Sequence, residues 1–575
     1  MKKILRISAV VWGSLMATQV GNAQLLSKLS GDLNGLLGQN GQTTVIVQFT
    51  QMPTLLDKLT IGLLGGTVLQ NLTAFPGQVI QLPLAGLLGL LNLNDVAFVT
   101  PNRALLPLLD ITAPAVNAPA AWALDLDGSG VGIAVIDSGI ADHPDLKDKK
   151  GVSRVVYRQN FIDGAQADLY GHGTHVAGII AGDGASSTGS QYTKNYTGIA
   201  PNANLIDLRV IDANGQSNDA AVIAAIEQAI ALKNKYNIKV INLSLGRPIF
   251  ESYHFDPLCR AVEAAWNAGI VVVIAAGNLG RNGYATITSP GNTPEAITVG
   301  AMKNMGTVTR ADDEIASYSS RGPSYIDQIA KPDIVAPGNL EVSLLSPNST
   351  LAAEFPANII PTSAYSTVAG GTPEYFMLSG TSMATPCVSA AAAILLQQNP
   401  SLTPNTVKAR LMQSASKKFP VYSSVVDGGQ TYYDTYDVFT VGAGYLDIAA
   451  ALADKNTATG STLSPAISWI PSLNSAYMLL DSKSIWNSGV WSILQVWGGT
   501  TMLNGSSAVW GSSAVWGSSA VWGSSAVWGS SAVWGSSAVW GSSAVWGSSA
   551  VWGSSAVWGS SAVWGSSMGA GEPNY

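Results

Sequence analysis

Five apolar runs, VGIAVI (131–136), LIDLRVI (205–211), KVINLSL (239–245), IVVVIAA (270–276) and AITVGA (296–301), recur along the middle of the chain. Between them lie segments with a helical rhythm, notably DAAVIAAIEQAIAL (219–232) and PLCRAVEAAWNAG (257–269). A run that is apolar at nearly every position needs cover on both faces. Strands of that kind alternating with helices predict an α/β fold with a doubly wound parallel sheet over about residues 111–453. Ligands of such sheets gather at the carboxyl ends of the strands. That edge collects polar or permissive residues: Asp137 ends the first run, Ser244-Leu245-Gly246 close the third, and Gly277-Asn278 follow the fourth after Ala275-Ala276. An aspartate at a strand end commonly just caps the next turn; three such ends together make that reading less economical.

The flanks differ in kind. Residues 1–23 carry Lys2, Lys3 and Arg6, then a short apolar stretch from Ile7 to Ala17, then Gly21-Asn22-Ala23. This is the layout of a signal peptide cleaved after Ala23, and it predicts a secreted protein. The segment is too short for a transmembrane anchor, which needs about 20 apolar residues, and no later stretch is long enough. Residues 24–110 are rich in Leu and Gly, with strand-like runs TTVIVQFT (43–50) and DVAFVT (95–100), and suit a small α+β domain. Residues 454–504 read as a linker or extension without clear periodicity. Residues 505–567 follow, with GSSAVW repeated ten times between Gly505 and Trp564, and a short tail (568–575) closes the chain.

Composition excludes some classes. At 47% hydrophobic residues the chain can fill a large core, and a net charge of −7 offers no basic footprint for nucleic acid. Cys259 and Cys387 match neither a disulfide framework nor a metal-ligand spacing, and both lie in helix-like apolar stretches that predict buried free thiols.

Chemistry concentrates in two further segments. GHGTHVAGIIAG (171–182) places His172 and His175 three apart on a helix opened by a glycine turn. The spacing is not HExxH and no third ligand accompanies it, so a zinc pair is disfavoured, and His175 reads as a core histidine. GTSMATPC (380–387) sets Ser382 at the mouth of an alanine-rich helix, either as an N-cap or as a nucleophile at the positive helix end.

VIDSGI with Asp137, GHGTHVAG with His172, AAGN with Asn278 and SGTSMATP with Ser382 follow one another as in subtilisin-like serine peptidases, and the resemblance covers roughly residues 111–453. It implies a secreted endopeptidase with Ser382 as nucleophile, His172 as general base and acid, Asp137 orienting the imidazole, and Asn278 donating to the oxyanion beside the Ser382 amide. It also implies that Ser244-Leu245-Gly246 and Ala275-Ala276-Gly277 wall the specificity pocket, and that Gly215-Gln216-Ser217 forms an edge that pairs with extended protein or peptide substrates. Leu279, after the asparagine, brings no carboxylate, which predicts apolar or aromatic residues on the acyl side of the cut.

By the same resemblance, residues 24–110 are a propeptide that acts as intramolecular inhibitor, with self-cleavage near 104–115. No cofactor or metal is needed for catalysis. A structural calcium is implied near Asp145 and the lengthened 183–196 region, while DLDGSG (125–130) reads as a calcium-loop fragment or, more simply, a turn. The segment 339–376 is also lengthened, and Cys387 stands where many relatives carry histidine. The rival reading is a non-catalytic surface or matrix protein that binds peptides. The uncharged repeat suits either self-association or cell-surface contact, or an unstructured tail.

Overall fold

A computed structural model of the chain describes residues 28–29, 33, 41–72, 76–101, 109–162, 164–368, 370–420, 422–427, 430–470, 475–487, 489–497 and 501–504. The expected signal peptide, residues 104–108 of the expected self-cleavage region and the whole GSSAVW repeat with its tail lie outside the described residues.

Contacts divide the chain after Leu106. The N-terminal unit is an antiparallel sheet of β1 (Gln42–Phe49), β2 (Thr67–Leu72), β3 (Gly77–Pro83) and β4 (Val96–Pro101) in the order β2-β3-β1-β4, with helix α1 (Leu55–Leu63) between β1 and β2. The two runs read as strands are β1 and β4. Val45, Val47 and Phe49 alternate into a core with Ile80, Leu82 and Val99, the period-two burial of a half-buried strand. The unit is α+β, as expected.

The second unit holds the eight-stranded sheet. Its strands are β5 (Gly132–Asp137), β6 (Val155–Asn160), β7 (Asn204–Arg209), β8 (Ile238–Leu243), β9 (Val271–Ala275), β10 (Ile297–Lys303), β11 (Glu314–Ile315) and β12 (Ile334–Pro337). The order is β11-β10-β9-β8-β5-β7-β6, with β12 beside β10, and every pairing is parallel except β10 with β11. Every residue of β5 and β9 is buried, so both sheet faces are covered. Each Val or Ile removed from water contributes about 1.5–3 kcal/mol.

The covering helices are α2 (His172–Ala181), α3 (Asp219–Leu232), α4 (Pro257–Asn267) and α5 (Thr381–Gln398). Helices α2 and α5 pack together, α3 and α4 pack together, and α5 lies across β8, β9, β10 and β12. From β5 the chain passes to β6 at one edge and back to β7 beside β5, then crosses to lay β8, β9 and β10 on the other side. The reversal falls between β5 and β8, and a crevice opens there at the carboxyl ends.

Residues 454–504, read as a linker or extension, carry a three-stranded antiparallel sheet of Ala466–Ile470, Ser475–Leu479 and Thr501–Asn504. Trp486, Trp491 and Trp497 share one apolar cluster with Ala409, Met412, Val438 and Phe439 of the preceding residues. Ser464 reaches a buried charge network, where its Oγ donates to Asp333 and accepts from Lys408 Nζ at 2.9 Å. Lys331 Nζ lies 2.6 Å from the same carboxylate, and all three charged side chains are fully buried. The segment therefore completes the core and does not hang from it. No helix among the described residues is long and apolar enough to cross a membrane.

Candidate active site

The site assembles at the reversal in strand order. The β5 register pairs Val135 with Asn242 of β8, so two residues further on Asp137 stands level with Ser244. Asp137 ends its strand fully buried, with Oδ1 accepting from Ser138 N at 2.7 Å and from His172 Nδ1 at 2.7 Å. His172 is the first residue of α2, and the chain enters that helix through Gly171 at φ +100°, a conformation that suits glycine. A Cβ on Gly173 would lie 2.3 Å from Gly139 O, so only glycine lets α2 approach the end of β5 this closely.

With Nδ1–H committed to the carboxylate, the imidazole presents Nε2 as its base. Nε2 is buried and has no hydrogen-bond partner among the described residues. Burial by itself pushes the imidazolium down. The Asp137 charge and hydrogen bond, with the Asp168 charge behind them, outweigh it, so His172 lies above its ordinary value.

Ser382 is the second residue of α5, whose N-cap is Gly380, so the capping reading of the serine is excluded. Its Oγ donates to Ser244 O at 3.2 Å, and Ser244 Oγ returns a bond to Ser382 O at 2.8 Å. Ser382 is thereby tied to the strand beside Asp137 and is not hydrogen-bonded to His172. Such bonds are commonly long in substrate-free sites and tighten on substrate binding.

Asn278 lies across from the serine. Its Oδ1 accepts from Thr381 N at 2.9 Å and from Thr381 Oγ1 at 3.0 Å, while Thr381 Oγ1 accepts from Gly277 N at 3.2 Å. These donors fix the amide with Nδ2 turned away from Thr381. A Cβ on Gly380 would lie 3.2 Å from Asn278 Nδ2 and 3.6 Å from Ser382 N. The two donors therefore flank one small volume, the arrangement an oxyanion requires. The SGTSMATP motif contained Thr381, but its orienting role rests on a contact 103 residues distant in sequence.

The expected pocket walls converge. A Cβ on Gly246 would lie 2.6 Å from Thr288 Oγ1, and one on Gly277 (φ +105°) 2.8 Å from Thr288 Cγ2. Ser244-Leu245-Gly246 and Ala275-Ala276-Gly277 thus lean on the same threonine, which sequence reasoning did not single out. Gly215 sits in a turn closed by Asp212, with its α-carbon hydrogens facing the Tyr170 ring. Gln216 N–H and C=O are both engaged by Asp212, so that residue offers no free backbone pair; Ser217 beyond it is exposed and outside any sheet.

His175 faces elsewhere. Its Nε2 lies 3.0 and 3.1 Å from the carbonyls of Glu341 and Phe376, and burial pushes it down to about 3, a neutral core histidine. Both cysteines are free and buried.

The carboxylates expected near calcium are engaged within the protein. Asp145 Oδ1 accepts from Ser186 N and Oδ2 from Tyr375 O–H, each at 2.7 Å. Asp127 of DLDGSG accepts from Ser129 and Asn202, as a plain turn does. No group of three or more metal-ligating side chains occurs among the described residues.

A doubly wound α/β domain with a serine at a helix start, a buried Asp–His pair and a converging donor pair defines a serine-type endopeptidase. The subtilase family profile matches residues 128–444, and the chain belongs to that family. Serine protease AprX of Bacillus subtilis (strain 168) is 41% identical over 333 residues, 56% of this chain and 70% of that protein. Subtilisin E of the same organism is 36% identical over 304 residues, 52% of this chain and 64% of the relative. A crystal structure of a cold-adapted subtilisin-like serine proteinase is similar over 51% of this chain and 84% of its own, at 29% identity and a TM-score of 0.37.

Proposed function

We propose that this subtilase hydrolyses peptide bonds through an acyl-enzyme formed on Ser382. His172 Nε2 removes the hydroxyl proton as Oγ attacks the carbonyl carbon, and returns it to the leaving amine. Asp137 keeps the proton on Nδ1 and stabilises the imidazolium without itself becoming protonated. Asn278 Nδ2 and the Ser382 N–H receive the negative charge on the carbonyl oxygen. Water then repeats the sequence in reverse to release the acid. The 2.7 Å bond from His172 to Asp137 beside an unpartnered Nε2 carries this reading.

A pocket walled by Ser244-Leu245-Gly246 and Ala275-Ala276-Gly277, with no acid on either wall and none at Leu279 after the asparagine, suits apolar or aromatic side chains on the acyl side. Ser217 offers the backbone edge for the substrate strand. The first 23 residues direct export, the N-terminal α+β unit serves as the inhibitor-like propeptide, and the tryptophan repeat mediates self-association or surface contact. Casein hydrolysis by the mature protein tests the core of the proposal. Ser382→Ala should reduce turnover by about 10⁶-fold. Equal cleavage by the variant would remove Ser382 as the nucleophile, and none by the wild type would return the domain to peptide binding alone.

A further inference from the structure

Asp168 precedes His172 by four residues and is 3% exposed. Its Oδ1 accepts from Ser138 Oγ at 2.8 Å and Gly171 N at 2.7 Å. Its Oδ2 accepts from Thr174 N at 2.8 Å and Thr174 Oγ1 at 2.5 Å. Ser138 Oγ accepts in turn from Gly173 N at 2.8 Å. The partners flank the Asp–His pair on both sides: Ser138 adjoins Asp137, and Gly171 and Gly173 adjoin His172. One carboxylate thus ties the end of β5 to the first turn of α2, at the helix end whose dipole favours negative charge.

We propose that Asp168 is a positioning residue of the peptidase, bracing the Asp137–His172 contact from behind without touching substrate. The proposal rests on the catalytic reading above. A structural carboxylate could satisfy helix-start amides anywhere in a protein; this one joins the two residues next to the reacting pair through a single serine hydroxyl. All four of its partners donate, so the ionised form satisfies them, although burial pushes the carboxyl up. An asparagine of the same shape would turn an NH₂ toward two donors and break the brace.

The charge also bears on His172. The groups around the imidazole are Asp137 from β5, Asp168 from the preceding loop, His175 on the same helix and Tyr170, pushed up to about 12. His175 and Tyr170 are neutral near pH 7. Behind Asp168, Asp207 of β7 is held by Arg158 of β6 at 2.8 Å, and from the segment after β12 Ser346 donates to the Asp168 carbonyl. Removing the Asp168 charge leaves Asp137 alone to hold the imidazolium, so His172 shifts downward.

Asp168→Asn should lower kcat about 10- to 100-fold with KM within about twofold, as a small misplacement of a catalytic group does. The acid limb of its kcat/KM profile should move to lower pH. Ser138→Ala, which removes the relay but no charge, should lower kcat and leave the limb in place. Wild-type kcat and limb in Asp168→Asn would overturn the proposal, as would a fall in kcat with an unmoved limb. If Asp168→Asn does not fold, unchanged kcat in Ser138→Ala overturns it. Activity that survives Ser382→Ala would contradict the catalytic reading instead, leaving the two failures distinguishable.

Discussion

At the scale of single residues, the site is a problem in proton placement. A histidine works as base only when neutral, and His172 is held above its ordinary value of 6.5 by a carboxylate it cannot escape. The sign follows: the active fraction grows as pH climbs through that raised value, and activity fades on the acid side. The same pairing contributes stability that is present below the ordinary histidine range and lost as pH rises through the raised value. Asp137→Asn removes the main group holding His172 up and also the acceptor that fixes the tautomer. We expect kcat to fall by about 10⁴-fold at nearly constant KM, with the residual acid limb displaced to lower pH. A pH–rate profile on a chromogenic peptide checks both, and an unmoved limb would contradict the assignment. These residues were legible because each sits in a short local motif at a strand or helix end. Thr381 and Ser138 lay inside those motifs with nothing to mark their roles, and Asp168 lay outside them, since orienting an amide or bracing a strand end takes only common residue types.

At the scale of elements, strands buried on both faces announced themselves, and the expected helix over 219–232 is α3 (Asp219–Leu232). Strand β6 escaped notice because it is a half-exposed edge strand, VVYRQN, whose pattern is neither continuous nor alternating. The two lengthened loops were visible as extra length, but their purpose was not. Tyr375, from the longer loop, donates to Asp145 and lies 2.8 Å from Ser187 Oγ, and its ring meets Tyr196 at 4.5 Å and Tyr365 at 5.1 Å. Tyr192 and Ser366 bridge the loops as strand partners. A contact between residues 230 apart in sequence leaves no periodic trace. Tyr375→Phe removes a hydrogen bond to a buried carboxylate and should cost about 2 kcal/mol, read as a lowering of the melting temperature by a few degrees. A chelator should leave the wild-type melting temperature unchanged if Asp145 is satisfied by Tyr375 and Ser186. A large chelator-induced drop would restore the calcium expectation.

At the scale of the whole molecule, the catalytic domain does not stop where its family motifs do. Residues beyond 453 supply three tryptophans to a shared cluster and a serine to the Asp333–Lys331–Lys408 network. Removing them exposes Met412 and Phe439 and leaves buried charges short of a partner, which is costly in a low-dielectric interior. A chain ending at residue 453 should accumulate as aggregate or melt about 10 °C lower, because losing one buried tryptophan alone costs about 3–5 kcal/mol. A chain ending at residue 504, without the repeat, should keep the melting temperature and the turnover on small peptides. Calorimetry and solubility of the two truncations decide the matter; equal behaviour would make the tryptophan cluster dispensable. Composition gave no hint of this boundary, because tryptophans in the packed segment and in the repeat look alike in a sequence.

Catalysis depends most on Ser382 being the hydroxyl that His172 activates. Phosphonylation of the mature protein by an aryl phosphonofluoridate, mapped by peptide mass spectrometry and timed across pH, measures that directly. The expected result is one adduct, on Ser382, forming at a rate that rises as His172 loses its proton and that collapses in His172→Ala. An adduct on another residue, or full labelling of Ser382 without His172, would contradict it.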